Sequence, residues 1–227
     1  MTRATRFGAA LLATIVVASL ARAQPAPQDP RQRLRRNEDR PQARQQFDEA
    51  LRKFRSDDLP ERLEGIAAMG TLDREPRAIE YLLEASNDPN PTVRVKAIDT
   101  LGTMRAEQAT APLLQRIFMR DCDVATKRRI LAALGRIGDH RATGPLLELL
   151  DRDLPDDLKA SALYALGEIG DEAARPTIEA YAARDASDPF SAVGKAALAK
   201  LNGRPAPVEV PPVLVGDDRG SGPAAAN

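Results

Sequence analysis

From residue 57 to residue 203, apolar side chains recur every three or four positions, interrupted at regular intervals by Gly, Asp and Pro. That spacing lines one face of a helix and excludes the strict alternation of a half-buried strand. The most regular feature is a quartet of a large apolar residue, a small one, any residue, and a second apolar one. It occurs as Met69-Gly70-Thr71-Leu72, Leu101-Gly102-Thr103-Met104, Leu134-Gly135-Arg136-Ile137, Leu166-Gly167-Glu168-Ile169 and Leu198-Ala199-Lys200-Leu201. The small residue (Gly70, Gly102, Gly135, Gly167, then Ala199) returns at intervals of 32, 33, 32 and 32. Other columns keep step with it. Ile66, Ile98, Leu131 and Leu163 stand four positions earlier, and Ala68, Thr100, Ala133 and Ala165 stand two earlier. Asp88, Asp121, Asp153 and Asp185 close the units.

Each unit reads as two helices. Leu158 to Ile169 carries apolar positions at helical spacing, and Gly170-Asp171, like Gly138-Asp139, supplies a turn. There Gly tolerates a left-handed backbone and Asp accepts from exposed N–H groups at the next helix start. Pro112, Pro145 and Pro176 fall in the first turn of the second helix, where the missing N–H costs nothing. Two helices of this length cannot bury their apolar face alone, whereas stacked neighbours can. The expectation is therefore an all-α fold, an α-solenoid of four antiparallel helix pairs and a terminal helix. A mid-helix Gly costs about 1 kcal/mol against Ala, so the anchor column implies close approach of an adjacent helix. Ala199 fits a terminal unit with fewer neighbours.

The flanks differ. Residues 42–55 predict a helix with Ala43, Phe47, Ala50, Leu51 and Phe54 on one face, a cap for the start of the array. The solenoid with this cap spans 42–203. Residues 24–41, rich in Pro, Gln and Arg, read as a disordered linker, and the Pro- and Gly-rich stretch 204–227 as a disordered tail. Within the linker, Arg31, Arg33, Arg35 and Arg36 form a solvated charge run that also offers a weak contact to an anionic membrane surface. Residues 1–23 have the layout of a signal peptide. Arg3 and Arg6 lead, Phe7 to Ala21 are uncharged, and Ala21-Arg22-Ala23 fits cleavage after Ala23. The alternative is an uncleaved membrane anchor, for which the run is short. The expected location is a bacterial periplasm or the exterior.

Composition narrows the chemistry. The chain is 43% hydrophobic and 4% aromatic with no Trp, a mixture suited to Ala- and Leu-rich helices. It has 33 basic and 33 acidic residues, and loss of Arg3, Arg6 and Arg22 would leave a mature net charge of −3, which argues against a nucleic-acid partner. With one His and one Cys, no His- or Cys-rich metal site and no intramolecular disulfide can form. His140 reads as a surface turn residue without an orienting partner for acid–base work. Cys122 reads as partly buried and inert, the alternative being an intermolecular bridge in an oxidising compartment. No catalytic, metal or cofactor residue is assigned.

The segments VRVKAIDTLGTM (93–104) and LKASALYALGEIGD (158–171) resemble the HEAT-repeat family, in the short form also found in phycobilisome lyases. The resemblance implies a scaffold that binds a protein or peptide rather than an enzyme. It brings three enzymatic branches to weigh. The helical-repeat hydroxylases need repeated His-Glu pairs, which one His cannot supply. The DNA glycosylases need a basic groove. A bilin lyase is out of place on an exported chain. An enzyme with an unrecognised site, or a regulatory or inhibitory subunit of an envelope complex, stays as the alternative to an envelope adaptor.

Two surfaces stand out. Arg62, Arg94, Lys127 and Lys159 lie eight positions before the anchors and read as a structural ladder with acids such as Asp88, Asp121 and Asp153, or as a stripe for an acidic partner. In HEAT proteins the second helices line the concave face. The resemblance thus makes Tyr81, Gln115, Glu148 and Glu179 the candidate protein-binding column. Phe118 and Met119 read as core extensions of the same helix or as an apolar patch.

Overall fold

A computed structural model of the chain describes residues 30–72 and 75–203, with side chains from residue 41. The expected signal peptide, its cleavage point after Ala23, residues 24–29 and the tail 204–227 lie outside the described residues. The described residues form ten α-helices, three short 3-10 turns and no strand. Two compact units divide between Arg40 and Pro41, and the stacked helices belong to the second.

The first helix, α1 (Pro30–Phe54), starts well before residue 42, so the stretch 30–41 expected as linker is helical, with Pro41 inside the helix. The four arginines proposed for a membrane contact fall on its first turns. Phe47 and Ala50 are buried, whereas Ala43, expected on the same face, is exposed. Four helix pairs follow: α2 (Leu59–Met69) with α3 (Pro76–Ala85), α4 (Pro91–Thr103) with α5 (Thr110–Ile117), α6 (Val124–Ile137) with α7 (Thr143–Leu150), and α8 (Asp156–Ile169) with α9 (Arg175–Ala182). The single helix α10 (Pro189–Leu201) ends the array.

The first helices stack directly, α4 on α6, α6 on α8 and α8 on α10, while α3, α5, α7 and α9 pack against the first helix of the following unit. One continuous core results, and the column four before the anchors (Ile66, Ile98, Leu131, Leu163) is completely buried in it. The anchor column does what its recurrence implied. A methyl group built on Gly102 would stand 3.0 Å from Ala133 Cα, one on Gly135 3.3 Å from Ala165 Cα, and one on Gly167 2.5 Å from Ala197 O. On Gly70 it would stand 2.6 Å from Thr100 Cγ2. Each anchor thus meets the residue two positions before the next anchor, so the two small-residue columns are the two sides of one contact. Ala199 has no following helix among the described residues. A second close contact was not anticipated. Gly65 lies against Phe54 N of α1 and Gly194 against Ala182 N at the end of α9, each at 2.4 Å for an added methyl.

The turns follow their sequences. Gly138 (φ 74°) and Gly170 (φ 76°) adopt the left-handed conformation. Asp139 and Asp171 then accept from Arg141 N at 2.9 Å and Ala173 N at 3.0 Å, capping the 3-10 turns that lead into α7 and α9. The second unit has neither residue: Arg105 takes the left-handed position (φ 51°) and Ala106 the capping one. The first helices are capped by Asp58, Asn90, Asp123 and Asp188, but α8 is preceded by Pro155, which has no side-chain acceptor.

Candidate protein-binding surface

The candidate column on the second helices divides. Gln115 and Glu148 are the sixth residues of α5 and α7 and both are exposed. Glu179 is exposed too and pairs with Arg175 at 3.6 Å, but it is the fifth residue of α9, so Ala180 occupies the equivalent place. The shift arises because Pro176 sits one residue nearer the helix start than Pro112 and Pro145. Tyr81 does not face outward. It is half-buried between Phe47 and Phe54 of α1, with ring centroids at 5.9 and 6.0 Å, and its hydroxyl accepts from Arg55 at 3.3 Å. Apolar surface on α1 claims it, as no helix does for its counterparts.

The basic column also divides. Arg62 is paired with Asp88. Arg94 donates to the carbonyls of Asp88 and Pro89, both at 2.9 Å, and pairs with Asp123, the α6 cap, at 3.3 Å rather than with Asp121. Asp121 is taken by Arg116 at 3.4 Å. Lys127 and Lys159 have no ion-pair partner among the described residues, and neither has Asp153. The structural ladder therefore exists in the first two units and lapses in the next two. For Lys127 the cause is local: Pro155 stands where Asp123 stands one unit earlier, and it offers no carboxylate.

Beside that lapse lies a cleft of about 70 Å³ among α5, α6, α7 and the start of α8. Ile117, Leu131, Leu149, Leu154 and Leu158 supply its apolar surface, Phe118 its edge, and Lys127 and Arg152 its only charged groups. Arg152 covers the Phe118 ring at 4.6 Å, a cation–π contact that holds the edge. Phe118 (36% exposed) and Met119 (42%), on the α5–α6 connection, and Val124 (44%), the first residue of α6, are the exposed large apolar side chains among the described residues. Phe118 and Met119 thus make the surface patch and not the core extension. Cys122, between them and α6, is buried, and burial pushes its thiol pKa up, which keeps it in the unreactive form at neutral pH.

A polar groove at the opposite ends of the first helices, lined by Thr103, Arg105, Arg136, Glu168 and Lys200, is larger at about 600 Å³. Two of its cations are paired across units: Lys200 with Glu168 of the groove at 3.1 Å, and Arg136 with Asp99 beyond its lining at 2.7 Å. Close by, hydrogen bonds from Arg141 hold the Asp139 carboxyl down to about 2. The buried hydroxyls of Thr110 and Thr143, outside strict hydrogen-bonding geometry, lie close enough to Asp139 and Asp171 to act in the same direction. These carboxylates hold turns and stay ionised at neutral pH. His140 is an exposed turn residue with Nδ1 4.0 Å from Asp171. No group of three or more potential metal ligands forms among the described residues, and no helix there is long and apolar enough to cross a membrane.

The HEAT-repeat family model matches residues 47–118 and 110–199, more than half of the chain, and the protein belongs to the HEAT-repeat family. No curated protein matches it. HEAT arrays are generally protein-binding and typically non-catalytic.

Proposed function

We propose that this protein is an exported adaptor of the cell envelope that holds a protein partner on its HEAT array. The observation that carries the reading is the exposure of Phe118, Met119 and Val124, the exposed large apolar side chains among the described residues, beside an apolar cleft. Contiguous exposed apolar surface rimmed by polar residues marks protein interaction sites. The layout of residues 1–23 supports export. The arginines at the start of α1 supply a weak secondary contact to anionic lipid. Gln115 and Glu148 extend the partner surface along the second helices.

Tagged full-length protein expressed in its own host tests this reading. The mature chain is expected in the envelope or periplasmic fraction with Gln24 as its first residue, carrying a protein at fixed stoichiometry. Recovery from the cytoplasm with an intact leader, or isolation with a tightly held small molecule and no protein, would overturn it.

A further inference from the structure

We infer that the cleft among α5, α6, α7 and α8 receives an extended segment of another protein in which one aliphatic side chain is flanked by acidic residues. The inference rests on the adaptor reading and names its site and the chemistry of its partner.

Three features lead there. The cleft volume of about 70 Å³, at roughly 10–15 Å³ per water, has room for an aliphatic side chain. Its surface is apolar apart from Lys127 and Arg152, which are both cations and stand on different elements, so acids on either side of the inserted residue are each met by one of them. No acid lines the cleft to compete. Lys127 is also the ladder cation that loses its intramolecular partner, because Pro155 replaces the acid that binds Arg94 one unit earlier. A half-buried ammonium without a carboxylate gains more from an incoming acid than one already paired. Lys159, equally unpaired, does not line the cleft and serves as the internal control.

The experiment is fluorescence anisotropy of the full chain with a labelled, acetylated and amidated peptide bearing Glu-Leu-Asp between Gly-Ser flanks; blocking both ends excludes capture of a chain terminus. Saturable binding is expected, weakened at least about tenfold, a loss of one ion-pair's worth of affinity, by Lys127→Glu and by Leu→Ser in the peptide. Lys159→Glu should leave it within about twofold, and circular dichroism confirms that both variants fold. Absence of binding overturns the proposal, as does equal weakening by the two lysine variants, which would mean diffuse charge attraction. Self-association of the chain that Lys127→Glu abolishes also overturns it, the occupant then being a second copy. If Lys127→Glu still captures the envelope partner at full stoichiometry, the adaptor reading stands and this cleft is not its site.

Discussion

Along the C-terminal halves of α4, α6, α8 and α10 each unit meets the next through one repeated pair of columns, small residue against small residue. Along their N-terminal ends the contact changes from unit to unit. Arg62 reaches Asp88, Arg94 reaches Asp123, and Lys127 reaches no acid. The first edge sets the spacing of the helices and is tightest at Gly167, where an added methyl group would meet the Ala197 backbone at 2.5 Å. The second edge is half-exposed, where an ion pair contributes only about 0–1 kcal/mol, so a unit can give it up with little loss of stability. The same fold thus offers one edge that must repeat and one that is free to acquire a function.

The comparison breaks most readily at the tight edge. Gly167→Ala places a methyl group 2.5–2.6 Å from the Ala197 backbone and is expected to destabilise the array by about 1–3 kcal/mol through overpacking. Gly144→Ala, in α7 with nothing within 4 Å of the added group, is expected to stabilise by about 0.5 kcal/mol through helix propensity. Urea unfolding of the two variants should give opposite signs, and a neutral Gly167→Ala would mean that the anchors do not set the spacing. A smaller effect tests the turns. Arg105 holds a left-handed backbone where Gly138 and Gly170 stand in later units, so Arg105→Gly should raise stability by about 0.5–1 kcal/mol by relieving that strain. Calorimetry checks it, and a lower melting temperature would show that the Arg105 side chain holds something worth more than the strain.

What could be read from the sequence follows the same division. The period, the helix pairs, the glycine turns at 138 and 170 and the close approach at the anchors were legible because every unit meets the same packing demand and writes it at the same place. Gly65 and Gly194 share a column with Ala97, Ile130 and Ala162, so no repeat announced them. They serve contacts with α1 and α9 that occur once each. Tyr81 sat in an apparently outward column, but the column carries no record of α1, whose Phe47 and Phe54 enclose it. Glu179 leaves the column because Pro176 stands one residue nearer its helix start than Pro112 and Pro145, and a first turn accepts proline at more than one position. The ladder acid for Arg94 is the helix cap Asp123 and not the unit-closing Asp121, a distinction of two residues that only the loop geometry reveals. The cleft itself was visible only as Phe118 and Met119, whose burial depends on how far α5 extends.

Pro155→Asp bears most directly on the central claim, that the unit whose ladder lapses beside the apolar cleft is the unit that binds. Its effect on stability is the smallest of the series, because a new helix cap worth about 1 kcal/mol is offset by the lost rigidity of proline, about 0.4–1 kcal/mol. With the acid restored opposite Lys127, the anisotropy titration with the Glu-Leu-Asp peptide should show affinity lowered about tenfold at an unchanged melting temperature. Undiminished affinity in that variant would contradict the claim.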